Sequence, residues 1–148
     1  MSARSALLRV AWICVALALP ATASDRLAGR AHVLDGDTIA VSGIQVRLKG
    51  GAAPEVAHFG EPGEAGGEEA KKFMVELVEG QTVVCDLTQE RTHGRRVGWC
   101  YRNGEDVAEA LIWAGLARDC PRYSGGRYAA VEPAAARNLP FPSYCRWR

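Results

Sequence analysis

Between residues 24 and 50 the apolar side chains fall largely on alternate positions: Ala31, Val33, Ile39, Val41, Ile44, Val46 and Leu48. A period of two predicts strands with one buried face. Asp35-Gly36-Asp37 and Ser42-Gly43 supply the turns between them. The pattern lapses over residues 50–67, which are rich in Gly and Pro and read as a flexible loop. From Glu68 to Glu79 the period changes. Ala70, Phe73, Met74, Leu77 and Val78 recur at three and four residues, the spacing of a helix, and Gly80 is its stop. Thr82 to Leu87 and Val97 to Tyr101 read as paired strands across a Gln89–Arg96 loop. Asp106 to Ala114 is a second helix with Gly115 as its C-cap. Tyr128 to Arg137 is a third, provided that Pro133 sits in a first turn. Trp99, Trp113 and Trp147 are assigned to the core or its rim.

This order, with no internal repeat or boundary after residue 24, fits an α+β domain. It predicts a five-stranded Greek-key β-barrel of the OB-fold type with about three helices packed outside. A length of 148 residues, 48% apolar and 24% charged, suits one globular domain. The first stretch does not belong to it. Arg4 and Arg9 precede an apolar run from Val10 to Leu19, then Pro20 and the small-x-small sequence Ala21-Thr22-Ala23. Residues 1–23 are thus expected to be a signal peptide, leaving 24–148 as the domain. The run is half the length needed to span a bilayer core. The mature chain is expected in the periplasm or outside the cell, off the membrane, as a monomer.

Removing residues 1–23 takes Cys14 with it and leaves four cysteines. An even count in an exported chain predicts two disulfides. Three connectivities are open. The hairpin favours Cys85–Cys100, leaving Cys120–Cys145 to tie down the tail. No Cys-x-x-Cys is present, and His32, His58 and His93 show no zinc-ligand spacing. Charge is uneven. Residues 24–90 carry six basic and twelve acidic groups, whereas 91–148 carry ten arginines and five acids. The asymmetry fits either a site built from acids of one segment and arginines of another, or an uneven surface.

Three short motifs carry chemistry: Val33-Leu34-Asp35-Gly36-Asp37-Thr38-Ile39, Val46-Arg47-Leu48-Lys49-Gly50-Gly51-Ala52-Ala53-Pro54-Glu55, and His93-Gly94-Arg95. A water that attacks a phosphodiester must approach an anion. Arginines can grip the phosphate oxygens, a carboxylate-held cation can share the charge, and a glutamate can take the proton. Asp37, Arg47, Glu55 and Arg95 supply these residue types. Arg95 and Arg96 face opposite sides of a strand, so one of them enters the site. His93 reads as a solvated loop residue, and Gly60–Gly67 lacks the Gly-Lys-Ser/Thr ending of a phosphate loop.

In order and spacing these motifs resemble the thermonuclease (staphylococcal nuclease-like) family of OB-fold nucleases. The resemblance runs from about Ala31 to Leu116 and includes Asn103-Gly104-Glu105-Asp106-Val107 and Ala114-Gly115-Leu116-Ala117. It implies an exported calcium-dependent endonuclease acting on single-stranded DNA or RNA. Asp37 is then a calcium ligand, Asp35 an acidic neighbour, Arg47 and Arg95 phosphate ligands, and Glu55 the catalytic glutamate. Tyr123 is a candidate for stacking on a base. One position departs. Where the family has a second carboxylate ligand this chain has Ala52, and a lost carboxylate removes a ligand and a charge together. Two functions therefore stay open: a nuclease weakened at its metal, and a catalytically degenerate binding module of the cell envelope. The module would take a nucleotide, an anionic glycan or a protein, as exopolysaccharide-associated relatives suggest.

Overall fold

A computed structural model describes residues 25–147; the expected signal peptide, residues 1–23, lies outside them. Three strands form a meander: β1 (Arg26–Asp35), β2 (Thr38–Val41) and β3 (Ile44–Leu48). Their alternate apolar residues turn inward, with Ile39, Val41 and Val46 fully buried. The β2–β3 turn has Ser42 and Gly43 both at positive φ, the two-residue geometry that matches strand twist. After the two-residue strand β4 (Gly51–Ala52) and the Gly/Pro-rich loop comes helix α1 (Gly67–Val78), which buries Ala70, Met74 and Val78. A long hairpin follows, β5 (Thr82–Thr92) and β6 (Arg95–Arg102).

Strand β5 pairs with β1, and β6 runs parallel to β3, closing a five-stranded barrel. The hairpin is longer than the sequence pattern suggests. Most of the expected Gln89–Arg96 loop is ladder, and the turn shrinks to His93-Gly94 at positive φ. Beyond it lie β7 (Glu105–Asp106), helix α2 (Val107–Trp113), β8 (Arg118–Asp119, paired with β4) and the one-turn helix α3 (Pro121–Ser124). Asp106 caps α2 by accepting from the Ala108 and Glu109 N–H groups at 3.0 and 3.2 Å. It also accepts from the hydroxyl of Tyr128, a fully buried residue.

The expected helix over Tyr128–Arg137 does not form. Pro133 is extended, and a 3₁₀ turn covers only Ala134–Asn138. The residue before a proline is pushed out of the helical region. Here that residue, Glu132, accepts from the Asp119 N–H at 2.6 Å and from Arg118 at 3.2 Å. Trp113 and Trp147 are exposed rather than packed. Disulfides join Cys85 to Cys100 across the hairpin and Cys120 to Cys145 across the tail. Among the described residues no helix is long and apolar enough to cross a membrane.

Candidate functional site

The turn between β1 and β2 cannot avoid burying its carboxylates. Gly36 lies so close to Ala53 and Ala70 that a Cβ would stand 2.8 and 2.9 Å from their methyl groups, and this draws Asp35 and Asp37 into the barrel wall. Asp37 is 1% exposed and fully engaged. Its Oδ2 meets Arg47 at 2.8 Å and accepts from the Ala53 N–H at 3.2 Å, while its Oδ1 accepts from the Thr38 hydroxyl at 3.1 Å. Arg95 in turn donates to Thr38 at 3.1 Å. One hydrogen-bonded chain thus runs Arg95, Thr38, Asp37, Arg47. Burial pushes the Asp37 carboxyl above its ordinary value; Arg47 opposes this and Asp35 reinforces it.

Arg47, from β3, also reaches Glu55 at 3.8 Å and donates to the Tyr144 hydroxyl at 3.2 Å. Glu55 sits on the loop after β4, half exposed. Its carboxyl is pushed up to about 7, first by burial and then by hydrogen bonding to Asp35 and the charges of Asp37 and Asp35, with Arg47 opposing. The Gly-rich loop reads from sequence as flexible, but it is tied to this segment. Glu64 N–H donates to the Glu55 carbonyl at 2.8 Å, and Glu64 Oε2 accepts from the Glu55 N–H at 3.0 Å. A Cβ on Gly67 would fall 2.4 Å from the same Glu55 carbonyl. Only glycine lets α1 start this close to the glutamate it holds.

Arg47, Glu55 and Arg95 line one cavity of about 490 Å³ together with Tyr123 and Tyr144. Four expected site residues, Arg47, Glu55, Arg95 and Tyr123, thus share this cavity, and buried Asp37 joins them through Arg47. Asp35 lies beside Glu55 and His58 rather than with Arg47; the donor atoms of these three are all within 4.8 Å of one another. Ala52 is 2% exposed and packs on the Cys120–Cys145 disulfide and Phe141. Sequence reasoning missed Tyr144 and His58. The Cys145 pairing was the available signal for Tyr144, since it returns the tail to β4. His58 gave none, because its neighbours come from a loop and a turn rather than from a periodic element.

A family model described as staphylococcal nuclease homologue matches residues 45–137, the stretch holding Arg47, Glu55 and Arg95. The chain belongs to the staphylococcal nuclease family. Among curated proteins it is 33% identical over 124 residues to a succinoglycan biosynthesis protein ExoI of Rhizobium meliloti, a match covering 80% of this chain and 65% of that one. It is 41% identical over 54 residues to a probable endonuclease LCL3 of Schizophyllum commune (36% and 18% of the two chains). It is 31% identical over 94 residues to a probable endonuclease LCL3 of Coccidioides posadasii (60% and 30%). The chain thus spans less than two thirds of the length of each of these relatives.

Within this nuclease-family barrel Asp37, one of the implied cation ligands, holds Arg47, Ala53 and Thr38 on its oxygens, and the Ala52 methyl packs with the Cys120–Cys145 disulfide. Asp35, the other, stands with Glu55 and His58, three donors that fit a divalent metal ion.

Proposed function

We propose that this chain is an exported phosphodiesterase that hydrolyses single-stranded DNA or RNA. The carrying observation is that Arg47, Arg95 and Glu55 border one cavity although they come from three separate segments. The two guanidinium groups suit bidentate contact with phosphate oxygens and stabilise the charge that grows on them. Glu55, half open to solvent in the same cavity, takes a proton from the attacking water on this reading. Tyr123 borders the same cavity and offers a ring to a base. A bound divalent cation would supply further neutralisation of phosphate charge; the family resemblance implies calcium for that part. The two disulfides support export, and the two fungal relatives named as probable endonucleases support the reaction class.

The test is cleavage of labelled single-stranded DNA by residues 24–148 in millimolar calcium, manganese or magnesium, and in EDTA. Cleavage should need the metal, and Glu55→Gln should lower it by about 10²-fold or more. Absence of cleavage in all three metals by a protein with a cooperative melt refutes this reading.

Two observations favour a second reading, a non-catalytic binding module. Ala52 is sealed under a disulfide, and Tyr144 occupies a donor of Arg47. The relative named for succinoglycan biosynthesis points the same way, towards an anionic glycan ligand. Under this reading Glu55→Gln leaves ligand affinity unchanged and the wild type binds without cleaving.

A further inference from the structure

We propose that Asp35, Glu55 and His58 bind a divalent transition-metal ion in preference to calcium. The proposal rests on the reading that this cavity is the chemical site, and it names the ion that site takes. Calcium binds oxygen, with about six to eight ligands, whereas a site with an imidazole nitrogen favours first-row transition metals, increasingly from manganese through cobalt to nickel and copper. In this chain the third donor beside Asp35 and Glu55 is an imidazole. His58 Nε2 lies 4.0 Å from Asp35 Oδ2, and the Glu55 carboxylate completes a group of three within 4.8 Å.

Asp35 is the anchor of the set. It is 5% exposed, and its Oδ1 is taken by the Gly36 N–H at 2.7 Å. Its Oδ2 lies 4.0 Å from His58 Nε2, and its carboxylate is hydrogen-bonded to Glu55, so the buried acid already draws both other donors to one point. A metal with bonds of about 2.0–2.2 Å needs its donors about 3–3.5 Å apart. Glu55 and His58 are each about half exposed and can rotate to close that gap; Asp35 need not move. The backbone of His58 is fixed by a pair of hydrogen bonds with Glu61 around Phe59-Gly60, both at positive φ. Phe59 itself is fully exposed, so this strained turn serves placement and not packing.

The test uses tag-free mature protein stripped with EDTA and titrated calorimetrically with manganese, cobalt and calcium chlorides, with the visible spectrum of the cobalt form as a second readout. Manganese and cobalt should bind at least about tenfold tighter than calcium. His58→Gln should remove that excess and the cobalt bands while keeping the wild-type melting temperature, and His32→Gln should change neither. Calcium binding as tight as manganese, no binding of any ion, or a cobalt spectrum unchanged by His58→Gln overturns the proposal. The outcomes separate the two claims. His58-dependent binding without cleavage upholds the metal site and refutes the nuclease. Calcium-driven cleavage that survives His58→Gln does the reverse.

Discussion

Replacing Ala52 by aspartate restores the family's missing carboxylate on paper, and the structure predicts that it fails. The Ala52 methyl is 2% exposed and lies against the Cys120–Cys145 disulfide and Phe141. An aspartate there has no solvent. Arg118, its partner on the paired strand β8, is committed to Glu132 at 3.2 Å and to the Phe141 ring at 4.5 Å. Burial of this kind raises a carboxyl by about 3–5 units. Holding it protonated at pH 7 against an ordinary value near 3.9 costs about 4 kcal/mol, and overpacking adds about 1–3 kcal/mol. The sum is comparable to the whole stability of a small domain, about 5–15 kcal/mol. The sign is also fixed. A carboxyl raised in the folded state loses stability as pH climbs from its unfolded to its folded value, so the penalty is packing alone near pH 4 and several kcal/mol near pH 8. Urea denaturation of Ala52→Asp at both pH values, in EDTA, reads this directly. An Ala52→Asp variant as stable as wild type at pH 8, or one that gains calcium affinity and cleavage, would refute the reasoning and place position 52 on the metal.

Other perturbations follow from the same geometry. Glu55, raised to about 7, contributes stability that is fully present below its ordinary value of about 4.5 and lost as pH rises through 7. Glu55→Gln should therefore stabilise the metal-free protein at pH 8, by about 1–2 kcal/mol after allowing for a side chain 47% exposed, and should change little at pH 4; equal effects at both would contradict this. Gly67→Ala puts a Cβ 2.4 Å from the Glu55 carbonyl, so it should cost about 1–3 kcal/mol and displace Glu55, lowering any cleavage more than Gly80→Ala, whose Cβ meets nothing. Cys120→Ser/Cys145→Ser opens a closure spanning 25 residues and should cost about 3 kcal/mol in denaturation; a loss under about 1 kcal/mol would show that the tail is held by its other contacts.

The barrel was legible because its signals are local and redundant. Alternation at Val33, Ile39, Val41 and Val46 and the three- and four-residue spacing of Ala70, Met74 and Val78 each specify a buried face. The Arg47, Glu55 and Arg95 grouping was legible for another reason: the motifs occur in a family order, and the fold carries that order to one wall. The tail was not. Its helical look over Tyr128–Arg137 depended on Ala134, Ala135 and Ala136, which favour a helix intrinsically. Pro133 and the Glu132 contacts with β8 override that preference. Tyr144 was invisible because it reaches the site through a long-range tie, the disulfide, and His58 because a local two-residue turn outside any periodic element places it.

The pairing of Asp37 with Arg47 gives the site a property that neither residue has alone. Without ligands the two charges satisfy each other at 2.8 Å in near-complete burial. An anion that takes the Arg47 donors leaves Asp37 with the Ala53 N–H and the Thr38 hydroxyl only, a buried carboxylate short of its counter-charge. That loss is offset if a cation arrives near Asp35 and Glu55, which already bring negative charge to the same turn. On the proposed reading anion and cation would be coupled through this one ion pair, and the coupling would be reciprocal: whatever factor phosphate adds to metal affinity, metal would add to phosphate affinity. Tyr144 tunes the balance, because its hydroxyl holds a third claim on Arg47. Its tether, the Cys120–Cys145 bridge, also seals Ala52. Position 52 and the tail are thus joined in one arrangement, in which the tail covers Ala52 and puts a hydroxyl on Arg47.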